Sequence, residues 1–124
     1  DFAWPLALHV ASLDIGQALA VREKDVLAVE AIEGTDAMIE RVGGLARGEW
    51  VLVKVAQPHQ DLRFDVPTIG PETIERLHRF GGRALVIEAG KTLVIERERT
   101  LRLAENYGIA IVARAAEPQP SSRP

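Results

Sequence analysis

Three apolar runs from residue 50 onward, separated by segments with helical periodicity, most constrain what this sequence can fold into. The runs cover residues 50–55, 84–87 and 109–113. Short, nearly continuous apolar runs are typical of strands buried on both faces, as in a parallel sheet. Helical patterns separate them at residues 71–80 and 97–107, and each pattern ends at a glycine, where helices commonly stop. This alternation predicts a mostly parallel sheet covered by helices.

The first part of the chain predicts a different arrangement. Residues 15–21 and 25–31 are typical of two strands, and the short polar connection between them suits a hairpin. Gly34, Thr35 and Asp36 then predict a helix start, because an acidic side chain is favourable at the positive end of the helix dipole. The expected fold is therefore α/β, with a mixed, mostly parallel sheet covered by helices and an N-terminal antiparallel hairpin.

The length and the two ends of the chain predict a single domain with short flanks. A chain of 124 residues is long enough for one domain with one core. Residues 1–13 are apolar and predict a helix after Pro5, and their abrupt start suggests a cut made in a longer protein. Residues 14–114 form the expected domain. Residues 115–124, rich in proline and serine, are expected to form a flexible tail.

Composition excludes several classes of function. A net charge of −3 and a pI of about 5.6 argue against a mainly electrostatic nucleic-acid binder. Without cysteine, the chain has no disulfide, no zinc–thiolate site and no cysteine nucleophile. The sequence has no apolar run of the roughly 18 to 20 residues that a membrane-spanning helix requires. It also lacks the Gly-x-Ser-x-Gly elbow and the dinucleotide-binding fingerprint, which argues against a serine hydrolase and a dehydrogenase.

Residues 60–70 carry the clearest chemical signal. Asp61, Arg63 and Asp65 alternate with apolar residues, so an extended segment would place the three charged groups on one face. One or two carboxylates are what Mg²⁺ prefers when substrate phosphate and water complete its coordination. Two aspartates four residues apart on a straight strand lie about 13 Å apart at Cα. Either the segment bends near Pro67 or the carboxylates have separate roles; a solvated face with an Arg–Asp pair is the structural alternative.

Further candidates follow predicted strands, where ligands of parallel sheets gather. Lys54 ends an apolar run and could reach a phosphate as a point charge. Thr35 and Asp36 begin a helix, where backbone N–H groups suit phosphate, although a plain helix cap would explain them equally well. Glu30 is a candidate only through its nearness to Asp36. The Gly90-Lys91-Thr92 turn beside Glu88 lacks the spacing of a P-loop and is interpreted as a turn facing the sheet edge.

Five segments, at residues 14–17, 29–39, 52–55, 60–70 and 88–92, resemble the C-terminal domain of the LpxI-type UDP-2,3-diacylglucosamine pyrophosphatases. The resemblance covers about residues 13–113. It implies hydrolysis of UDP-2,3-diacylglucosamine to UMP and 2,3-diacylglucosamine 1-phosphate in lipid A biosynthesis, with Mg²⁺ or a similar divalent cation. It implies the following site residues: catalytic Asp61, Asp65 and Arg63, with Asp61 and Asp65 also binding metal, and substrate-binding Gly34, Thr35, Asp36, Lys54, Glu88, Gly90, Lys91 and Thr92.

The resemblance also implies partners. An N-terminal Rossmann-like domain of the family is missing from this sequence, so residues 1–13 are expected to be the remnant of an interdomain linker helix. The family further implies a homodimer that is cytoplasmic and in peripheral contact with the inner membrane. The alternative is a non-catalytic ligand-binding or dimerisation module in this truncated form.

Overall fold

A computed structural model describes residues 2–13, 15–46, 48–56 and 67–115. It has a five-stranded sheet in the order β2-β1-β3-β5-β7, in which β1 is antiparallel to both of its neighbours and β3, β5 and β7 run parallel. The mixed, mostly parallel sheet and the N-terminal hairpin are therefore confirmed. The strands of this sheet are β1 (Ala18–Arg22), β2 (Asp25–Val29), β3 (Trp50–Lys54), β5 (Gly82–Glu88) and β7 (Ala110–Arg114).

Four helices and a second, two-stranded sheet complete the described part of the chain. The helices are α1 (Ala3–Ser12), α2 (Thr35–Leu45), α3 (Pro71–Phe80) and α4 (Arg97–Tyr107). The small sheet pairs β4 (Thr68–Ile69) with β6 (Leu93–Val94) in parallel. Among the described residues, no helix has the length and apolar character needed to cross a membrane.

The large sheet separates two apolar clusters. On one face, α2, α3 and α4 pack over the central strands, and the cluster includes Trp50, whose indole N–H donates to the carbonyl of Phe80 at 2.9 Å. On the other face, α1 packs against β1 and β3 through a smaller cluster that includes Trp4. Val112 on the edge strand β7 remains 45% exposed. One face is thus covered by three helices and the other by one.

Sequence signals at the helix ends act as predicted. Pro71 occupies the first turn of α3. Backbone N–H groups there have no acceptor within the helix, so proline, which lacks an N–H, costs no hydrogen bond. Gly81 ends α3 with φ of +93°, and Gly108 ends α4 with φ of +73°. Glycine reaches this left-handed region without steric cost, so both helices stop where the next strand must begin.

Candidate functional site

The carboxyl ends of three parallel strands meet at one edge of the large sheet. Lys54 at the end of β3 pairs with Ile87, one residue before Glu88 ends β5. Because β1 is antiparallel to β3, its first residue, Ala18, lies opposite Lys54. Glu30, just after β2, reaches the same place, since its N–H donates to the Ala18 carbonyl at 3.0 Å. We call this region the polar edge: Glu30, Thr35, Asp36, Lys54, Thr68 and residues 88–92.

Lys54 places a positive charge inside the polar edge. Its side chain belongs to a residue only 9% exposed, and its ammonium donates to the carbonyl of Thr68 at 3.0 Å. Burial lowers the pKa of the Lys54 amine below its ordinary value, and the carboxylates of Glu30 and Asp36 oppose that shift. A buried amine beside two carboxylates at the end of a parallel strand is typical of a functional site.

Glu30 organises the start of α2. Its Oε1 accepts a hydrogen bond from the Thr35 hydroxyl at 3.0 Å and another from the backbone N–H of Gln17 at 3.3 Å. The sequence indicated Glu30 only through its nearness to Asp36. Glu30 reaches this edge because it directly follows the antiparallel strand β2. Glu33 instead forms an exposed ion pair with Arg41 at 2.8 Å, which holds the pKa of the Glu33 carboxyl below its ordinary value.

Asp36 lies at the start of α2 and faces a cation that the sequence did not suggest. Its Oδ2 is 3.5 Å from Nε of Arg76 on α3, and the same guanidinium lies 3.6 Å from Glu40. Asp36 and Glu40 lie on the same side of α2. No local sequence pattern indicates which helix packs against that side. Gly34 precedes the helix with φ of +90°, a conformation that favours glycine.

Glu88 is the most deeply buried carboxylate of the polar edge, at 3% exposure. Its Oε1 accepts from the backbone N–H of Ala56 at 2.8 Å, and its Oε2 lies 3.8 Å from the Lys91 ammonium. The predicted turn follows it: Gly90 has φ of +77°, and the Lys91 N–H and the Thr92 hydroxyl both donate to the Glu88 carbonyl, at 3.2 and 3.0 Å. The carboxylate points into the protein, whereas the Lys91 side chain is partly exposed.

Asp61, Arg63 and Asp65 lie outside the described residues, so the predicted catalytic and metal-binding roles remain predictions. The described chain stops at Ala56, whose N–H donates to Glu88 at the polar edge, and resumes at Pro67, whose carbonyl accepts from the N–H of Leu93. Within the described ranges, no three histidine, aspartate or glutamate side chains form a group that could hold a metal ion.

A cavity of about 770 Å³ lies away from the polar edge, beside the first turn of α1. Aliphatic side chains of β1, β3 and β5 and the ring of Trp4 form much of its wall, and the Arg114 guanidinium lies 5.0 Å from the centre of that ring. None of the predicted site residues in the described ranges lines it. The polar edge is the better candidate site because the buried ionisable groups converge there.

Comparison with known proteins yields two matches. A family model described as "LpxI C-terminal domain" matches residues 1–112. The UDP-2,3-diacylglucosamine pyrophosphatase LpxI of Caulobacter vibrioides is 44% identical over 120 aligned residues. That alignment covers 90% of this chain and 43% of the relative, so the chain spans less than half the length of the curated protein it matches.

Proposed function

This chain belongs to the family of LpxI C-terminal domains, and from that membership we propose that it supplies half of the active site of a UDP-2,3-diacylglucosamine pyrophosphatase. The reaction would release UMP and 2,3-diacylglucosamine 1-phosphate during lipid A biosynthesis. The observation that carries the proposal is the polar edge itself, where Glu30, Lys54 and Glu88 bring three buried ionisable side chains to one edge of the sheet.

We propose that Asp61 and Asp65 hold Mg²⁺ or a similar divalent cation. When bound, such a cation neutralises pyrophosphate charge and lowers the pKa of a coordinated water. The two aspartates supply the oxygen donors that a hard cation prefers.

Lys54, the first turn of α2 and residues 90–92 of the polar edge would bind and orient the substrate. Lys54 and Arg63 would stabilise the negative charge that develops on the phosphate oxygens. Gly34, Thr35 and Asp36 present the N-terminus of an eleven-residue helix, where free backbone N–H groups favour an anion. Lys91, with Gly90 and Thr92, would approach from the opposite side of the edge.

The partners of the site are also part of the proposal. A second domain of the complete protein would close over the polar edge, as expected for a chain that aligns with 43% of its relative. We further propose a homodimer that works in the cytoplasm in peripheral contact with the inner membrane, where an acylated substrate resides. Residues 1–13 would then belong to the helix that links the two domains.

Single replacement of Asp61 and of Asp65 by alanine tests the catalytic assignment. In the complete protein, we expect magnesium-dependent release of UMP to fall by about a hundredfold or more for at least one variant, the order seen when one charge-stabilising group is removed. Asp25→Ala is the matched control, because Asp25 lies in the hairpin at the opposite edge of the sheet. Rates near wild type in both Asp61→Ala and Asp65→Ala would refute the assignment.

A non-catalytic binding or dimerisation module is the second candidate. It is favoured by the extent of the alignment, which covers 43% of the relative and leaves more than half of that protein to carry catalytic groups. Titrating this 124-residue chain with 2,3-diacylglucosamine 1-phosphate distinguishes the two functions. Binding of this product, together with near-normal release of UMP by the complete proteins that carry Asp61→Ala and Asp65→Ala, supports the module, whereas loss of that release in either variant excludes it.

A further inference from the structure

The segment that joins β3 to β4 lies between two described stretches of the chain. We call the stretch that ends at Ala56 the first flank and the stretch that begins at Pro67 the second flank. From the contacts of these flanks we propose that Glu88 is a positioning residue, which fixes both flanks at the polar edge by accepting hydrogen bonds, in place of the substrate contact that the family resemblance implied. The inference rests on the proposed pyrophosphatase function, since the segment between the flanks contains Asp61 and Asp65.

The first flank is attached directly. The N–H of Ala56, two residues beyond the end of β3, donates to Glu88 Oε1 at 2.8 Å, and both residues are buried. A buried backbone N–H must find an acceptor, and here the acceptor is a side chain on the neighbouring strand. Glu88 thereby holds the chain at the point where it leaves β3.

The second flank is attached through the turn that Glu88 begins. The Glu88 carbonyl accepts from Lys91 N–H and the Thr92 hydroxyl, which fixes the turn leading into β6. β6 then pairs with β4: the N–H of Leu93 donates to the Pro67 carbonyl at 2.9 Å. The chain is thus held where it returns to the described part of the molecule.

Lys54 closes the arrangement. It lies two residues before Ala56, and its ammonium donates to the Thr68 carbonyl at 3.0 Å. Three hydrogen bonds therefore connect both flanks to the ends of β3 and β5: Ala56 to Glu88, Leu93 to Pro67, and Lys54 to Thr68. Glu88 is the member whose side chain bonds one flank while its backbone supports the other.

The burial of Glu88 distinguishes positioning from substrate contact. At 3% exposure, with Oε1 bonded to Ala56 and Oε2 facing the Lys91 ammonium, its carboxylate has little surface for a ligand. The bond to Ala56 requires an acceptor oxygen and does not require a negative charge. Glutamine supplies the same oxygen with nearly the same shape, whereas a ligand of a metal or a charge partner of the substrate would need the carboxylate.

Glu88→Gln and Glu88→Ala, measured in the complete protein, separate the two roles. We expect kcat of Glu88→Ala to fall by about tenfold or more, the effect of leaving a buried N–H unpaired. Glu88→Gln should stay within about threefold of wild type because its amide oxygen can still accept from Ala56. Glu49→Ala is the control, since Glu49 is an exposed carboxylate that pairs with Arg83 away from the polar edge.

A second readout does not depend on activity. Arg63 provides a trypsin cleavage site between the two flanks, and cleavage of a folded protein requires local opening. We expect cleavage after Arg63 to be about tenfold faster in Glu88→Ala, matching the loss of one buried hydrogen bond. In Glu88→Gln and Glu49→Ala the rate should stay within about twofold of wild type, since both keep the Ala56 bond.

Each result decides the question. Equal loss of activity in Glu88→Gln and Glu88→Ala, with cleavage after Arg63 unchanged in Glu88→Gln, would show that the charge is needed and overturn the proposal. Unchanged cleavage in Glu88→Ala would overturn it as well. If Glu88→Ala does not fold, the comparison of Glu88→Gln with wild type still decides. If the complete protein releases no UMP, the proposed function fails, while the cleavage rates continue to test the positioning role.

Discussion

At the scale of single residues, the polar edge depends on how a buried charge is satisfied. Lys54 is a cation in a largely buried position, and desolvation of such a group is costly unless acceptors surround it. The Thr68 carbonyl and the nearby carboxylates of Glu30 and Asp36 provide those acceptors. A lysine kept in this setting holds its ammonium at a fixed position, which suits the binding of a phosphate.

The lowered pKa of Lys54 predicts a specific pH dependence of stability. Because the pKa of this amine is lower in the folded chain than its ordinary value of 10.5, the folded protein loses the proton first as pH rises. The free energy of unfolding of wild type, relative to that of a variant without the amine, should therefore increase as the pH rises from the lowered pKa to 10.5. The increase is at most about 1.4 kcal/mol per pH unit.

The measurement compares wild type with Lys54→Met by urea unfolding across that alkaline range. Wild type should gain free energy of unfolding relative to Lys54→Met as pH approaches 10.5. Other titrating groups, such as Tyr107, are present in both proteins and cancel in the difference. A difference that stays flat with pH, or that moves against wild type, would contradict the burial of this charge.

At the scale of elements, α2 offers a matched pair of glycines with opposite expectations. A Cβ added at Gly44 would meet no atom within 4 Å, whereas one added at Gly43 would lie 2.6 Å from the Phe80 ring. Gly44→Ala should therefore stabilise the chain by about 0.5–1 kcal/mol, the usual difference between glycine and alanine inside a helix. Gly43→Ala should be less stable than Gly44→Ala, because the ring must move.

Urea unfolding of the two variants measures both effects. Equal stabilisation by Gly43→Ala and Gly44→Ala would show that Phe80 does not restrict the approach of α2 to α3. The test matters for the site because α2 carries Thr35 and Asp36 to the polar edge at its first turn. Its packing against α3 sets where that turn lies.

The elements were largely predictable from sequence, whereas the contacts of the site were only partly so. Apolar runs, Pro71 and the helix-ending glycines are local signals, and they place the strands and helices within a few residues of their observed bounds. It was also predictable that Lys54 and Glu88 lie at one edge of the sheet, because each ends a strand and the two strands are parallel. The bond from Glu88 to Ala56 was not predictable, because it depends on register between neighbouring strands. Arg76 was missed for a related reason: helix packing pairs it with Asp36.

At the scale of the whole molecule, the two faces of the sheet differ in how they are covered. Three helices pack on one face, while α1 alone packs on the other, and Trp4 at 3% exposure is the largest side chain it buries there. The attachment of α1 therefore depends heavily on one ring. Parallel sheets usually have both faces covered, so the outer surface of β7 is the least protected part of this one.

Trp4→Ala should consequently destabilise the chain by about 3–5 kcal/mol, the cost typical of deleting a large buried aromatic side chain. Phe2→Ala is the matched control: Phe2 is 38% exposed, so its loss should cost much less. Unfolding by urea gives the two free energies, and hydrogen exchange reports whether α1 opens before the sheet. Similar losses for the two variants would contradict the anchoring role of Trp4.

The antiparallel direction of β1 has a practical consequence for labelling. β1 starts at the polar edge and spans five residues, so the exposed turn at Glu23 and Lys24 lies about 16 Å away at the opposite edge of the sheet. The sequence contains no cysteine, and Lys24→Cys would therefore introduce a single thiol. A fluorophore or surface linker attached there would leave the polar edge facing solution, with every molecule in the same orientation.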